Sequence, residues 1–118
     1  MKKNDLIYLE HIFQNLTKIK DYTLNVDFES FKLDEQKQDA VIRKIEVVGE
    51  ASKKVSKFTK EKYSNIPWKA IAGMRDKLIH DYFSVDITMV WKTALEDVGP
   101  LILSVKQIID DLENSVDQ

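Results

Sequence analysis

The stretch from Asp34 to Lys62 constrains the fold most. Val41, Ile45, Val48, Ser52 and Val55 follow one another at steps of four, three, four and three residues. That spacing lines them along one side of an α-helix and on no face of a strand. Ala51 and Phe58 widen the stripe, so one long helix is expected from about Asp34 to Lys62. Such a helix is stable only when its apolar side is covered, and the rest of the chain reads as its cover. From Asn4, a good helix cap, Leu6, Leu9, Phe13, Leu16 and Ile19 recur at three- and four-residue steps to an end near Lys20. Residues 21–33 form a connector with Tyr22, Phe28 and Phe31, in which Asp27 can cap a short turn of helix. Pro67 suits the first turn of a third helix that carries Ile71, Met74, Leu78 and Ile79 inward and ends near Phe83. Asp86 caps a fourth, from Ile87 to about Val98. Gly99-Pro100 is expected to break or kink the chain, and a last helix carries Leu101, Val105, Ile108 and Leu112. The expectation is an all-α chain: an up-and-down bundle of four to five helices in one domain, residues 1–118.

Several chemistries are excluded by what the chain lacks. It has no cysteine, hence no disulfide, thiol nucleophile or cysteine-based zinc site. Two histidines, His11 and His80, are too few for a multi-histidine metal centre. Gly49, Gly73 and Gly99 stand alone, so no glycine-rich phosphate loop exists. The neighbouring carboxylates Asp110-Asp111 and Asp34-Glu35 do not face each other on a helix. Met1-Lys2-Lys3 resembles the start of a signal peptide, but Asp5, Glu10 and His11 interrupt the apolar positions. No apolar run approaches the roughly 18 residues of a membrane span. We therefore expect a cytoplasmic protein with no membrane partner, no metal and no cofactor.

The formal net charge of −2 argues against a generic polyanion binder, but it hides an asymmetry. Residues 51–77 hold eight basic groups (Lys53, Lys54, Lys57, Lys60, Lys62, Lys69, Arg75 and Lys77) against Glu61 and Asp76, a net of +6. Residues 78–118 carry a net of −6. Local charge is thus compatible with a nucleic acid held along the middle of the chain.

Arg75, His80 and Tyr82 crowd one end of the third helix. Arginine grips a phosphate through parallel N–H donors, and histidine exchanges protons near neutral pH. Together they supply the minimum for cutting RNA without a metal: a base for the 2′-OH and a cation for the charged transition state. The geometry is not simple. Five residues along an ideal helix turn through about 500°, so His80 lies roughly 140° around the axis from Arg75. Tyr82 is nearly eclipsed with Arg75, while His80 stands at pairing distance from Asp76. A composite site shared between two subunits would relieve that tension. Elsewhere, Lys53, Lys57 and Lys60 form a stripe that reads either as a solvated face or as a rail for an RNA backbone, with Lys77 as a further contact. Asp39 with Arg43 and Glu50 with Lys54 read as helix-surface ion pairs. His11 reads as a packed or half-exposed histidine, and Trp68 and Trp91 as buried side chains rather than base-stacking platforms.

The strings QDAVIRKIEVVGEA at 38–51 and PWKAIAGMRDKLIHDYFSVD at 67–86, followed by Val90-Trp91, resemble the HepT-like branch of the HEPN superfamily. The resemblance runs from the first helix to about Leu112. It implies a small helical bundle that forms a homodimer, with an R-x4-H-x-Y motif in a cleft at the subunit interface. It further implies a metal-independent endoribonuclease toxin of a prokaryotic toxin–antitoxin pair. The partner would be an MntA-like nucleotidyltransferase antitoxin that silences the toxin by attaching AMP to the motif tyrosine. Carried over, Arg75 holds the scissile phosphate, His80 acts as general base or acid, and Tyr82 is both a phosphate donor in the cleft and the modification site. AMP on Tyr82 would add charge and bulk where the RNA must enter. Asp76 and Asp81 make the surroundings less basic than a strong RNA binder needs. The alternative expectation is a non-catalytic helical module that serves as regulatory or substrate subunit of a partner nucleotidyltransferase.

Overall fold

In a computed structural model of the chain, which describes residues 3–81 and 83–116, the stripe on residues 41–55 is buried throughout. The elements are α1 (Lys3–Thr23), α2 (Phe28–Leu33), α3 (Glu35–Lys54), α4 (Lys57–Lys62), α5 (Trp68–His80), α6 (Ile87–Lys92) and α7 (Val98–Val116), with no strand among the described residues. Central to the bundle is α3, which α1 and α5 both pack against, while α7 lies along α1. Leu9, Ile12, Leu16 and Ile19 of α1 meet the α3 stripe and Val105, Ile108 and Leu112 of α7 in one buried cluster. The all-α expectation holds.

Short side chains set the element starts. Asp27 accepts from the Ser30 N–H at 2.8 Å and opens α2. Asp34 accepts from Lys37 N–H at 3.0 Å and opens α3. Asp86 does the same for Met89 at 3.2 Å and opens α6. Each supplies an acceptor to a helix N–H that has no intrahelical partner. Asn4 is not a cap, because α1 already includes it, and α1 runs past Lys20 to Thr23. Beyond that end Asn25 takes a positive φ of 59°, a conformation asparagine tolerates better than most residues. The connector aromatics pack as a unit: Phe31 is fully buried and its ring lies 5.0 Å from that of Trp91, with Phe28 6.1 Å away on the same indole. Trp68, half-buried, donates its Nε1–H to the Tyr63 carbonyl at 3.1 Å.

Three further expectations about element bounds are corrected. The long helix 34–62 is two helices. Val55 is extended, Ser56 caps α4, and the cause lies on α1. The buried Asp5 carboxylate accepts from Ser56 N–H at 2.9 Å, from Ser56 Oγ at 2.6 Å and from Thr59 Oγ1 at 2.6 Å. The break also leaves Phe58 61% exposed, off the stripe it was expected to widen. The helix containing Arg75 ends at His80 rather than near Phe83, and its Ile79 is 45% exposed rather than inward. Finally, Gly99-Pro100 breaks nothing. Residues 93–97 form a π-helical turn that joins α6 to α7 without interruption. Pro100 has no N–H for the carbonyl four residues back and its ring crowds that carbonyl; one wider turn ahead of it lets the helix continue.

Candidate active site

Where α5 crosses α3, Gly49 faces Arg75. A Cβ built on Gly49 would stand 2.1 Å from the Arg75 Cβ and 3.2 Å from the Ile71 carbonyl oxygen. Only a residue without a side chain permits that approach, and it sets the root of Arg75 directly on α3. The side chain is 27% exposed and its guanidinium is held from two sides: Nη2 pairs with Glu50 Oε2 at 3.0 Å and Nη1 with Asp76 Oδ1 at 2.9 Å. Lys53 Nζ donates to the same Asp76 oxygen. Hydrogen bonds from Lys53 first, and from Arg75 second, hold the Asp76 carboxyl below the usual carboxylate range. A chain of alternating charges, Glu50, Arg75, Asp76 and Lys53, thus ties the two helices together.

These pairings replace the expected ones. Glu50 turns to Arg75 rather than Lys54, and Asp76 turns to Lys53 and Arg75 rather than His80. No ion pair joins Asp39 to Arg43 among the described residues; Arg43 stays exposed. The reason is tertiary. With α5 seated on α3, carboxylates find guanidinium and ammonium groups across the helix junction instead of one turn along.

Beside Arg75 lies a groove of about 350 Å³ between α1, α3 and α5. Its walls include Tyr8 and His11 from α1, Arg43, Glu46, Glu50 and Lys54 from α3, and Arg75 and Ile79 from α5. Both arginines of the chain and one of its two histidines therefore meet in one concavity. Lys54 Nζ stands 6.0 Å from the Tyr8 ring centroid. Sequence reasoning assigned no role to Tyr8, His11 and Lys54 together. A signal existed: Arg43, Glu46, Glu50 and Lys54 recur at helical steps on the polar side of α3, and Tyr8 and His11 share a face of α1.

His80 does not line that groove. It is exposed at the last residue of α5, and its imidazole makes no hydrogen bond or ion pair among the described residues. Because α5 stays regular to its end, the roughly 140° between Arg75 and His80 persists. Tyr82 lies outside the described residues. The lysines scatter: Lys53 is bound to Asp76, Lys57 reaches Glu61 at 3.8 Å, Lys60 Nζ approaches the Lys53 carbonyl at 3.5 Å, and Lys77 is exposed. The break between α3 and α4 separates Lys53 from the other two members of the stripe. Among the described residues no three His, Asp or Glu side chains gather as a metal site would need, and no helix is long and apolar enough to cross a membrane.

An exposed histidine and a phosphate-sized arginine on one helix suit RNA chemistry, and the sequence comparisons point the same way. The sequence model of a family described as "Ribonuclease HepT-like" matches residues 12–108. The chain belongs to the HepT-like ribonuclease family. Among its relatives is the "Probable ribonuclease HepT" of Thermococcus cleftensis, 45% identical over 101 residues that span 86% of this chain and 92% of the relative. Another is "Putative RNase MJ0125" of Methanocaldococcus jannaschii, 44% identical over 114 residues that span 96% of this chain and 98% of the relative. No solved structure matches the chain significantly. The match to the HepT-like family covers α3 and α5, and with them Gly49, Arg75 and His80.

Proposed function

We propose that this HepT-like protein is a metal-independent endoribonuclease whose centre is built on α5. The observation that carries the reading is the fixed seat of Arg75 against Gly49, on the same helix as the solvent-facing His80. In the reaction, His80 takes the proton of a ribose 2′-OH, and the resulting alkoxide attacks the adjacent phosphorus. The 5′-oxygen leaves with the proton that the protonated His80 returns, giving a 2′,3′-cyclic phosphate on one fragment and a 5′-hydroxyl on the other. Arg75 stabilises the charge that develops on the phosphoryl oxygens, and Tyr82 donates a further hydrogen bond there. Since Arg75 and His80 diverge on one helix, the working centre is composite: a homodimer in which the two protomers' α5 ends face one cleft. Lys53, Lys57, Lys60 and Lys77 supply backbone contacts around it.

Within the same reading the protein is the toxin of a toxin–antitoxin pair, and an MntA-like nucleotidyltransferase neutralises it by transferring AMP to Tyr82. A second reading, a non-catalytic subunit of such a nucleotidyltransferase, is favoured by one feature: both edges of the Arg75 guanidinium are engaged by carboxylates. One experiment separates the two. Purified protein incubated with RNA and EDTA should yield fragments ending in 2′,3′-cyclic phosphate. His80→Ala should lower the rate by about 10²–10⁴-fold, as expected for loss of a proton-transfer group. Arg75→Ala should cost about 10²–10³-fold, as for loss of a transition-state donor. No cleavage by a folded parent, or full cleavage by both variants, sinks the ribonuclease reading.

A further inference from the structure

Arg43 is the second of only two arginines, and nothing in the cleavage chemistry uses it. It lines the same groove as Arg75, yet it is exposed and has no carboxylate partner among the described residues. Arg75, by contrast, has two. The groove also presents the half-buried Tyr8 ring, with the Lys54 ammonium at 6.0 Å from its centroid. That separation is the outer limit of a cation–π contact, so the ring face is loosely covered. The two carboxylates of the groove differ. Glu50 is neutralised by Arg75, while Glu46 has no cation within ion-pair distance among the described residues.

This set fits more than a bare anion. A guanidinium and an ammonium suit a phosphate, an aromatic face suits a base, and an unpaired carboxylate suits ribose hydroxyls or an exocyclic amine. The volume, about 350 Å³, falls at the small end of ligand pockets, which run from roughly 300 to 1,000 Å³. We propose that the groove between α1, α3 and α5 is a subsite for one nucleotide of the RNA flanking the cleaved bond. Its phosphate rests on Arg43, its base on the Tyr8 ring beside Lys54, and Glu46 accepts from its sugar or base. The subsite begins where Arg75 ends, so one strand crosses from Arg75 into the groove. The inference rests on the ribonuclease reading, but it is a statement about binding and can be tested without turnover.

The experiment uses full-length His80→Ala protein and a fluorescent 2′-O-methyl RNA oligonucleotide, which has no nucleophilic hydroxyl, with anisotropy as the readout. Adding Arg43→Ala or Tyr8→Leu should weaken binding about tenfold, the loss expected for one phosphate contact or one stacked base. Leucine keeps the packing of Tyr8 against the core, and thermal unfolding checks that each variant is folded. Lys106→Ala, on α7 and paired with Asp110, should change nothing. In the active parent, the same two substitutions should raise KM and leave kcat within about twofold. Unchanged oligonucleotide binding in both folded variants overturns the proposal. So does a free nucleoside monophosphate that binds as tightly as the oligonucleotide, since the groove would then serve a small molecule. If the His80→Ala protein still cleaves ordinary RNA, it is the assignment of the proton-transfer group that fails; the binding result stands apart from it.

Discussion

Gly49 and Arg75 touch through their backbones' nearest substituents: the position a Cβ would take on the glycine is 2.1 Å from the Cβ of the arginine. The obstructing atom is the root of a side chain, not its flexible tip, so a methyl group at 49 must push the helices apart. Gly49→Ala should therefore destabilise the fold by about 1–3 kcal/mol in urea denaturation, the usual cost of overpacking. It should also cut RNA cleavage more than stability explains, because Arg75 moves with α5. An alanine variant as stable and active as the parent would show that α5 sits elsewhere.

Asp76 holds both Lys53 and Arg75, so on the ribonuclease reading RNA must compete with it for the two cations. Neutralising it in Asp76→Asn should tighten binding of an uncleavable RNA several-fold and steepen its salt dependence, as two released cations become available to phosphates. Weaker binding would mean that Asp76 orients Arg75 rather than occupying it. The pH dependence has a definite sign. Hydrogen bonds from Lys53 and Arg75 depress the folded-state pKa of Asp76. The stabilisation from this tie is complete above the unfolded carboxylate value of about 3.9 and disappears as pH falls through the lower folded value. Urea denaturation at a series of pH values should show a Lys53→Ala protein less stable than the parent at neutral pH but losing less of that stability as pH falls, because the acid-sensitive tie is already gone.

Asp5 binds three donors of the α3–α4 break from a buried position. Asp5→Ala strands the Ser56 N–H and two hydroxyls, each of which costs about 1–3 kcal/mol if no partner or water replaces the carboxylate. A net loss of about 3 kcal/mol is expected from chemical denaturation. A loss below about 1 kcal/mol would mean that Ser56 and Thr59 satisfy themselves.

Tyr63 donates its hydroxyl to Asp111 Oδ2 at 2.9 Å, linking the end of α4 to α7. Burial first, then the hydrogen bond and charge of Asp111, push its pKa above the usual tyrosine range. A raised value favours the neutral, folded form: the contribution is complete below the unfolded value of about 10 and is lost as pH climbs through the folded one. Spectrophotometric titration should show one tyrosine ionising late, and Asp111→Asn should bring it down. A titration in which Asp111→Asn leaves every tyrosine unchanged would refute the link.

Much of this architecture was legible from spacing alone, because burial follows periodicity within a helix. Val41, Ile45, Val48, Ser52 and Val55 are buried as their steps require, and Asp27, Asp34 and Asp86 cap where local chemistry puts them. Illegible features depend on partners far along the chain. Nothing local distinguishes Val55-Ser56 from a helix interior; the carboxylate that breaks it is 51 residues earlier. The candidate site divides in the same way. Arg75 and His80 sit on one helix and stand out in sequence, and their divergence was readable from helical angles. The groove that joins Arg75 to Arg43, Tyr8 and His11 draws on three elements, and the glycine that seats Arg75 looks ordinary until α5 is docked on α3.

The π-helical turn at 93–97 also sets a rotational phase. Val90, Ala94 and Val98, all buried, are spaced by four residues twice over, and in a straight α-helix each such step overshoots a full turn by about 40°. One wide turn takes up that overshoot, so the apolar side of α7 arrives facing α1. Removing a single residue there would leave seven steps of plain α-helix, about 700° of turn, and keep Val105, Ile108 and Leu112 within about 20° of their present direction. Residues 93–97 thus behave as a shim that takes up one extra residue without turning α7 away from α1.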